Sequence, residues 1–263
     1  MAKHTVINIL SKEECEVYVN KIDLLSEHWR KRVVGPTHHY TLGTATYLDI
    51  EPYGDVTEER INLIKESNSL LQKNFSTLYN KVLHYIEKEY GPAELVVDGP
   101  IPGFFIYGEA RPNDIVEEPE EPRRGRVSLH TDGQERCLEY IWSRYSDVEE
   151  ETIAFTLALE MPKNGASFLL WDQEDFGFYS SSESSKLYKE YDYNENPYNE
   201  KVFNESILNK IPEVIDHIPG NMLIQSGEQW HSVGFSTAPF STDRRITLQG
   251  FGVKCDGIWR LFF

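Results

Sequence analysis

Apolar and polar positions in this chain change their rhythm near residue 95. Upstream the rhythm is helical. Val17, Ile22, Leu24, Leu25 and Trp29 recur at near-helical spacing, behind Ser11 and Glu14 in the arrangement of a capping box. A short apolar strand is predicted over 5–10, and 38–50 is rich in strand formers after the break at Gly35-Pro36. Thr57, with Glu58 and Glu59 behind it, predicts a second helix with an apolar stripe through Leu63, Leu70, Leu71, Leu78, Val82, Leu83 and Ile86. It runs to Tyr90 and stops at Gly91-Pro92. Residues 1–95 therefore predict helices packed on the outside of a sheet.

From Val96 onward the texture is short strands between turns. Candidates are 104–107, 127–130, 168–171, 221–224 and 245–251. Ile153, Phe155, Leu157 and Leu159 alternate with Ala154, Thr156 and Ala158, which predicts a half-buried strand. Such a set suits a two-sheet jelly roll over 96–263, giving a mainly β fold with flanking helices in one domain spanning 1–263. Two stretches fit neither texture. Residues 113–126 are charged and Pro-rich, and 172–201 are rich in Ser, Tyr, Glu and Asn. A structureless stretch of about thirty residues within a domain is either functional or disordered, so both a lid over a pocket mouth and a surface insertion fit 172–201.

Charge narrows the partners. The chain carries 43 acidic against 26 basic residues, a net −17, and its pI is near 4.9. Such a surface disfavours nucleic-acid backbones and anionic membranes. Cys15, Cys137 and Cys255 are sparse and odd in number, as expected of reduced thiols, and Cys15 and Cys255 read as packing residues. The first residues hold no apolar core of signal-peptide length, and no run approaches the ~18 apolar residues of a membrane span. A soluble cytoplasmic protein is expected, of open oligomeric state. There is no Walker motif, GxGxxG, GxSxG or zinc-finger spacing.

The chemistry lies in a few residues. His130 and Asp132, two apart in Ser128-Leu129-His130-Thr131-Asp132, face the same side of a strand. A distal His231 follows Pro219-Gly220-Asn221-Met222-Leu223. Two imidazoles and one carboxylate on one face of a metal leave positions open, the ligand set of non-haem Fe(II) oxygenases. Beyond His231 come Arg244, Arg245 and Thr247. A buried arginine with a hydroxyl two residues later can fork onto a carboxylate. Strand alternation puts Arg245, Thr247 and Gln249 on one face and Arg244 on the other, toward an acidic group.

Order and spacing together resemble the iron(II)/2-oxoglutarate-dependent dioxygenases over roughly residues 100–255. Their pattern of His-x-Asp, a long gap, a distal His and Arg-x-Ser/Thr matches His130-Thr131-Asp132, His231 and Arg245-Ile246-Thr247. Pro219-Gly220-Asn221 is similar to the family's Pro-Gly-Asp turn, with Asn221 in place of Asp, and Gly165-Ala166-Ser167-Phe168-Leu169 resembles its Gly-Gly-x-Leu stretch. The resemblance implies a double-stranded β-helix. It also implies Fe(II) on His130, Asp132 and His231, and 2-oxoglutarate chelated to the metal with its C5 carboxylate on Arg245 and Thr247. O2 is consumed as 2-oxoglutarate becomes succinate and CO2. Related halogenases lack the carboxylate ligand, so Asp132 implies hydroxylation, or another outcome of hydrogen abstraction, over chlorination.

The substrate is less legible. Tyr107, Glu109 and Arg111 alternate on one face and fit either a pocket wall or a solvent-facing row. His38 and His39 face apart and read as substrate-side or surface groups. A small molecule such as a free amino acid or natural-product intermediate is the expected substrate. A peptidyl hydroxylase and a non-catalytic jelly-roll binding module are the alternatives.

Overall fold

The computed structural model describes residues 4–34, 37–49, 57–108, 132, 145, 147–162, 167–171, 212–233 and 244–263. The N-terminal part contains β1 (His4–Asn8), α1 (Lys12–Leu24), β2 (Arg30–Val34), β3 (Thr37–Leu42), α2 (Thr46–Asp49) and α3 (Glu58–Tyr90). Then come β4 (Ala93–Leu95), β5 (Gly103–Tyr107), β6 (Val148–Glu160), β7 (Phe168–Leu170), β8 (Glu213–Ile215), β9 (Asn221–Ser226), β10 (His231–Val233), β11 (Arg245–Cys255) and β12 (Ile258–Phe262).

Among the described residues these strands make two sheets. The large one runs β1-β9-β6-β11-β5-β3-β2, with β12 on β11 and β4 beside β12. The small one runs β10-β7-β8. This is the two-sheet, mainly β architecture expected of a jelly roll. The N-terminal part supplies strands as well as helices, since β1 to β4 all join the large sheet.

Strand alternation divides the chemistry of the large sheet. Ile246 and Leu248 of β11, Phe155 and Leu157 of β6, and Met222 and Ile224 of β9 belong to one core cluster with Ile22 of α1 and Leu71, Phe75 and Leu78 of α3. Each such side chain contributes about 1.5–3 kcal/mol by leaving water. The helices therefore cover the outer face, and the residues between these point inward. On β6 the inward Ala154 and Ala158 are as buried as Phe155 and Leu157. The expected half-buried strand is thus covered on both sides, because it lies in the middle of a sheet with material on each face.

The helix boundaries follow local signals. Ser11 Oγ accepts from the Glu14 N–H at 3.2 Å and the Glu14 carboxylate accepts from the Ser11 N–H at 2.9 Å, closing the capping box of α1. Thr57 Oγ1 caps α3 by accepting from the Arg60 N–H. Two expectations need correction. The stripe assigned to α1 is only in part its buried face: Ile22 is buried, whereas Val17 and Leu24 are 53% and 82% exposed. The helix docks through Cys15, Tyr18 and Ile22, and ends at Leu24. Trp29 lies beyond it, its Nε1 donating to the Ile22 carbonyl at 3.0 Å. The strand expected over 38–50 ends at Leu42. Gly43 turns the chain with φ of 124°, and Asp49 then accepts from the Ala45 N–H, Arg30 and Arg32, which fixes the short α2.

One further glycine requires its freedom. Gly220 has φ of 92°, and a Cβ there would meet the Leu10 carbonyl oxygen at 2.2 Å. Its backbone ties the turn before β9 to β1, accepting from Ile9 and donating to Ala158. Cys15 and Cys255 are buried free thiols, both pushed up to about 11 chiefly by burial. Cys137, strand 127–130 and the segments 113–126 and 172–201, with the lid expectation, lie outside the described residues. No helix among the described residues is long and apolar enough to cross a membrane.

Candidate metal centre and anion pocket

Cross-strand register assembles one row of inward side chains on the large sheet. His39 of β3 pairs with Tyr107 of β5, which pairs with Arg245 of β11. The next row holds Thr41, Phe105, Thr247 and Ala158. Directly opposed residues of antiparallel strands share a face, so these groups share one inner surface.

Arg245 is 6% exposed, and its Nε and Nη2 hold no hydrogen bond among the described residues. Its guanidinium lies 5.5 Å from the centre of the Tyr107 ring, and Tyr107 stacks on His39 at 4.8 Å. Burial works against the charge of Arg245, yet a guanidinium remains protonated in proteins. A buried cation with unmet donors is costly unless an anion joins it. Thr247 is fully buried and accepts from Gln249 Nε2 at 3.1 Å, which leaves its hydroxyl proton to donate elsewhere. Arg244 is a different residue in kind. Its Nη1 and Nη2 fork onto Asp23 of α1 at 2.8 Å, and its Nε donates to Glu160.

The small sheet carries the second half of the site. His231 pairs with Leu170, and Phe168 pairs with both Val233 and Ile215. Phe168, Leu170 and Val233 pack on Leu223 of the large sheet, so His231 also faces inward. Its Nδ1 lies 2.8 Å from the Gln229 carbonyl oxygen. A carbonyl only accepts, so Nδ1 carries the proton and Nε2 presents a lone pair. Gln225 Nε2 lies 3.1 Å from the same Nδ1, and with the amide turned over about its last bond its oxygen accepts from that N–H. Gln229 is itself held, its amide donating to the Trp171 carbonyl, and Phe168 stacks on the His231 ring at 4.9 Å and 14°.

Nε2 of His231 then stands 3.4 Å from Oδ2 of Asp132. An imidazole lone pair facing a carboxylate oxygen at that distance is a pair of acceptors. Two ligands about 2.1 Å from one ion and at right angles to each other sit about 3 Å apart, so the pair fits neighbouring positions on a metal. His130, Glu109 and Arg111 lie outside the described residues.

Sequence reasoning passed over His217. It follows β8 at the parity of Ile215, and its ring packs on Phe168 at 5.3 Å. Both ring nitrogens are sealed from solvent with no hydrogen bond among the described residues. Burial, with the charge of Arg245 as the lesser cause, pushes its pKa down to about 3. Spacing could not have flagged it. The one signal was its place two residues before Pro219-Gly220, in a turn that must sit close to the core.

No family model matches the chain, and no curated protein matches it. Solved structures do. An N-substituted L-amino acid dioxygenase from Burkholderia ambifaria AMMD, in complex with alpha-KG, matches 100% of this chain over 86% of its own, at 12% identity and a TM-score of 0.56. A second structure of that dioxygenase matches 99% of this chain over 86% of its own, at 15% identity and a TM-score of 0.54. SnoN, a non-heme alpha-ketoglutarate-dependent epimerase from nogalamycin biosynthesis, matches 96% of this chain over 79% of its own, with 9% identity and a TM-score of 0.50. At these identities the likeness is one of fold. The chain has the fold of 2-oxoglutarate-dependent oxygenases.

Proposed function

We propose that this chain is an Fe(II)- and 2-oxoglutarate-dependent oxygenase that oxidises an unactivated C–H bond of a small molecule. One observation carries the reading. An acceptor pair suited to a metal, Asp132 and His231, accompanies a buried arginine whose Nε and Nη2 hold no hydrogen bond among the described residues. Bound together, Fe(II), 2-oxoglutarate and O2 supply the oxidation of the C–H bond, with 2-oxoglutarate leaving as succinate and CO2.

The chain's own residues prepare that chemistry. Asp132, His231 and His130 hold the metal, and the Gln229 carbonyl keeps His231 in the tautomer that a ligand needs. Arg245 takes the distal carboxylate by a charge-assisted fork, and the Thr247 hydroxyl donates to it. Tyr107, read from the sequence as a substrate contact, lies beside Arg245 and walls the carboxylate end. Closure of this row to solvent strengthens each charge-assisted bond. With Asp132 available as a ligand, the site would favour hydroxylation or a related oxidation over chlorination. The fold neighbours named for an N-substituted L-amino acid and for nogalamycin biosynthesis support an amino acid or natural-product intermediate as substrate.

Succinate release tests the reading. Purified chain with Fe(II), ascorbate, 2-oxoglutarate and a panel of free and N-substituted amino acids should release succinate above the substrate-free rate for at least one class. His231→Ala should abolish it. A chain that never converts 2-oxoglutarate, with or without any of these substrates, is not this enzyme.

A further inference from the structure

His217 has no role in the scheme above, yet it is a buried polar group with no hydrogen bond at either ring nitrogen among the described residues. Native interiors rarely tolerate that without a ligand or water to complete the bonds. The depressed basicity keeps the ring neutral near pH 7, so it offers one N–H donor and one lone pair. Arg245 is close enough for its charge to act on this ring, and its own Nε and Nη2 hold no hydrogen bond among the described residues. Two sets of unsatisfied donors, one charged and one neutral, thus share the space between the sheets. Phe168, in ring contact with both His217 and His231, places the group beside the metal end as well.

A single ligand can complete both. It must carry an anionic acceptor, because Arg245 is a cation. It must also present more than one oxygen, because a guanidinium fork alone leaves the imidazole unmet. A carboxylate has two oxygens and about four lone-pair sites, enough for the fork and one further donor. A neutral imidazole suits the remaining site better than a second cation, since the group to be matched carries one negative charge.

We propose that His217 is a second recognition residue for the distal carboxylate of 2-oxoglutarate, its ring N–H donating to an oxygen of the group that Arg245 holds. This rests on the co-substrate reading above. The ring adds selection by length: an oxo-acid without the far carboxylate leaves both His217 and Arg245 unmet.

Anaerobic calorimetry on the Fe(II)-loaded chain tests it with two probes. 2-Oxoglutarate carries the distal carboxylate, whereas oxalate chelates a metal and lacks it. His217→Leu should weaken 2-oxoglutarate binding about tenfold to a hundredfold, the scale of a hydrogen bond to a charged group, and leave oxalate binding unchanged. His217→Asn, which keeps an N–H donor, should recover part of the loss. In the unsubstituted protein, the His217 ring nitrogen signals should shift on addition of 2-oxoglutarate and not of oxalate. The proposal is overturned if His217→Leu binds 2-oxoglutarate as the parent does. Equal loss of both probes, which marks a merely structural residue, overturns it too. If the unsubstituted chain binds oxalate and not 2-oxoglutarate, the co-substrate reading itself fails and takes this proposal with it.

Discussion

His231 Nε2 and Asp132 Oδ2 meet at 3.4 Å, although their residues are far apart in the chain. His231 is brought there by β10, which pairs with β7, and its ring is fixed by the Gln229 carbonyl and by Phe168. β10 pairs with β7 along the backbone, a pairing that does not need the ring. His231→Ala should therefore lose stoichiometric iron while the far-ultraviolet circular dichroism stays that of the parent. Metal analysis after desalting checks it, and a variant that retains one iron per chain contradicts the assignment.

Arg245 and Arg244 should separate cleanly. Loss of a buried charge-assisted pair costs about 2–5 kcal/mol, so Arg245→Leu should weaken 2-oxoglutarate some tens to thousands of fold. The ligand-free variant should melt no lower than the parent, because an unmet buried cation has been replaced by an apolar group of similar reach. Arg244→Ala should behave oppositely. It unties α1 from β6 at a cost of about 1 kcal/mol for a partly exposed pair, with 2-oxoglutarate affinity unchanged. Parallel calorimetry and thermal melts distinguish the two.

His217 makes stability depend on pH. Its ordinary value of 6.5 falls to about 3 in the folded chain. Between those values the unfolded chain binds a proton at this ring and the folded chain does not. Stability from this group is therefore fully present above pH 6.5 and is lost as pH falls toward 3. The slope is on the order of 1 kcal/mol per pH unit, one proton's worth. Urea melts from pH 7 to 4.5 should show it, and His217→Leu should flatten that part of the profile. An unchanged slope in the variant means that other groups control the acid limb.

Gly220→Ala should be among the more damaging small substitutions. A left-handed conformation costs a residue with a Cβ about 1–2 kcal/mol, and the clash with the Leu10 carbonyl adds to it. The turn it breaks holds β1 to β9, so the melting temperature should drop and hydrogen exchange should rise in both strands together. Loss confined to β9 would show that the turn is not the link.

Much of this architecture was written locally. Thr57, Gly91 and the stripe between them define α3, and Arg245, Thr247 and Gln249 share a face because alternation on β11 requires it. The distal histidine and the arginine were legible as a pattern for the same reason. What failed depended on contacts between distant elements. Of the predicted stripe α1 buries Ile22, together with Cys15 and Tyr18, and leaves Val17 and Leu24 exposed, because docking against β6 and the pairing of Glu14 with Lys81 of α3 choose its face. The β3 strand stops at Leu42 because Gly43 turns the chain with φ of 124°, where a residue with a side chain is strained, and a Cβ there would crowd the Gly103 Cα at 3.2 Å. His217 was invisible because Phe168 and Arg245, which define its surroundings, come from β7 and β11.

The most direct test of the central claim is an anaerobic titration of the metal-free chain with Fe(II) and then 2-oxoglutarate, followed by absorbance. A keto acid chelated to Fe(II) gives a visible charge-transfer band. The account predicts one iron per chain, a band that saturates at one 2-oxoglutarate, and no band in His231→Ala. It also predicts that Arg245→Leu needs far more 2-oxoglutarate to reach the same band. A chain that binds no iron, or that binds iron and shows no band at any 2-oxoglutarate concentration, contradicts the account.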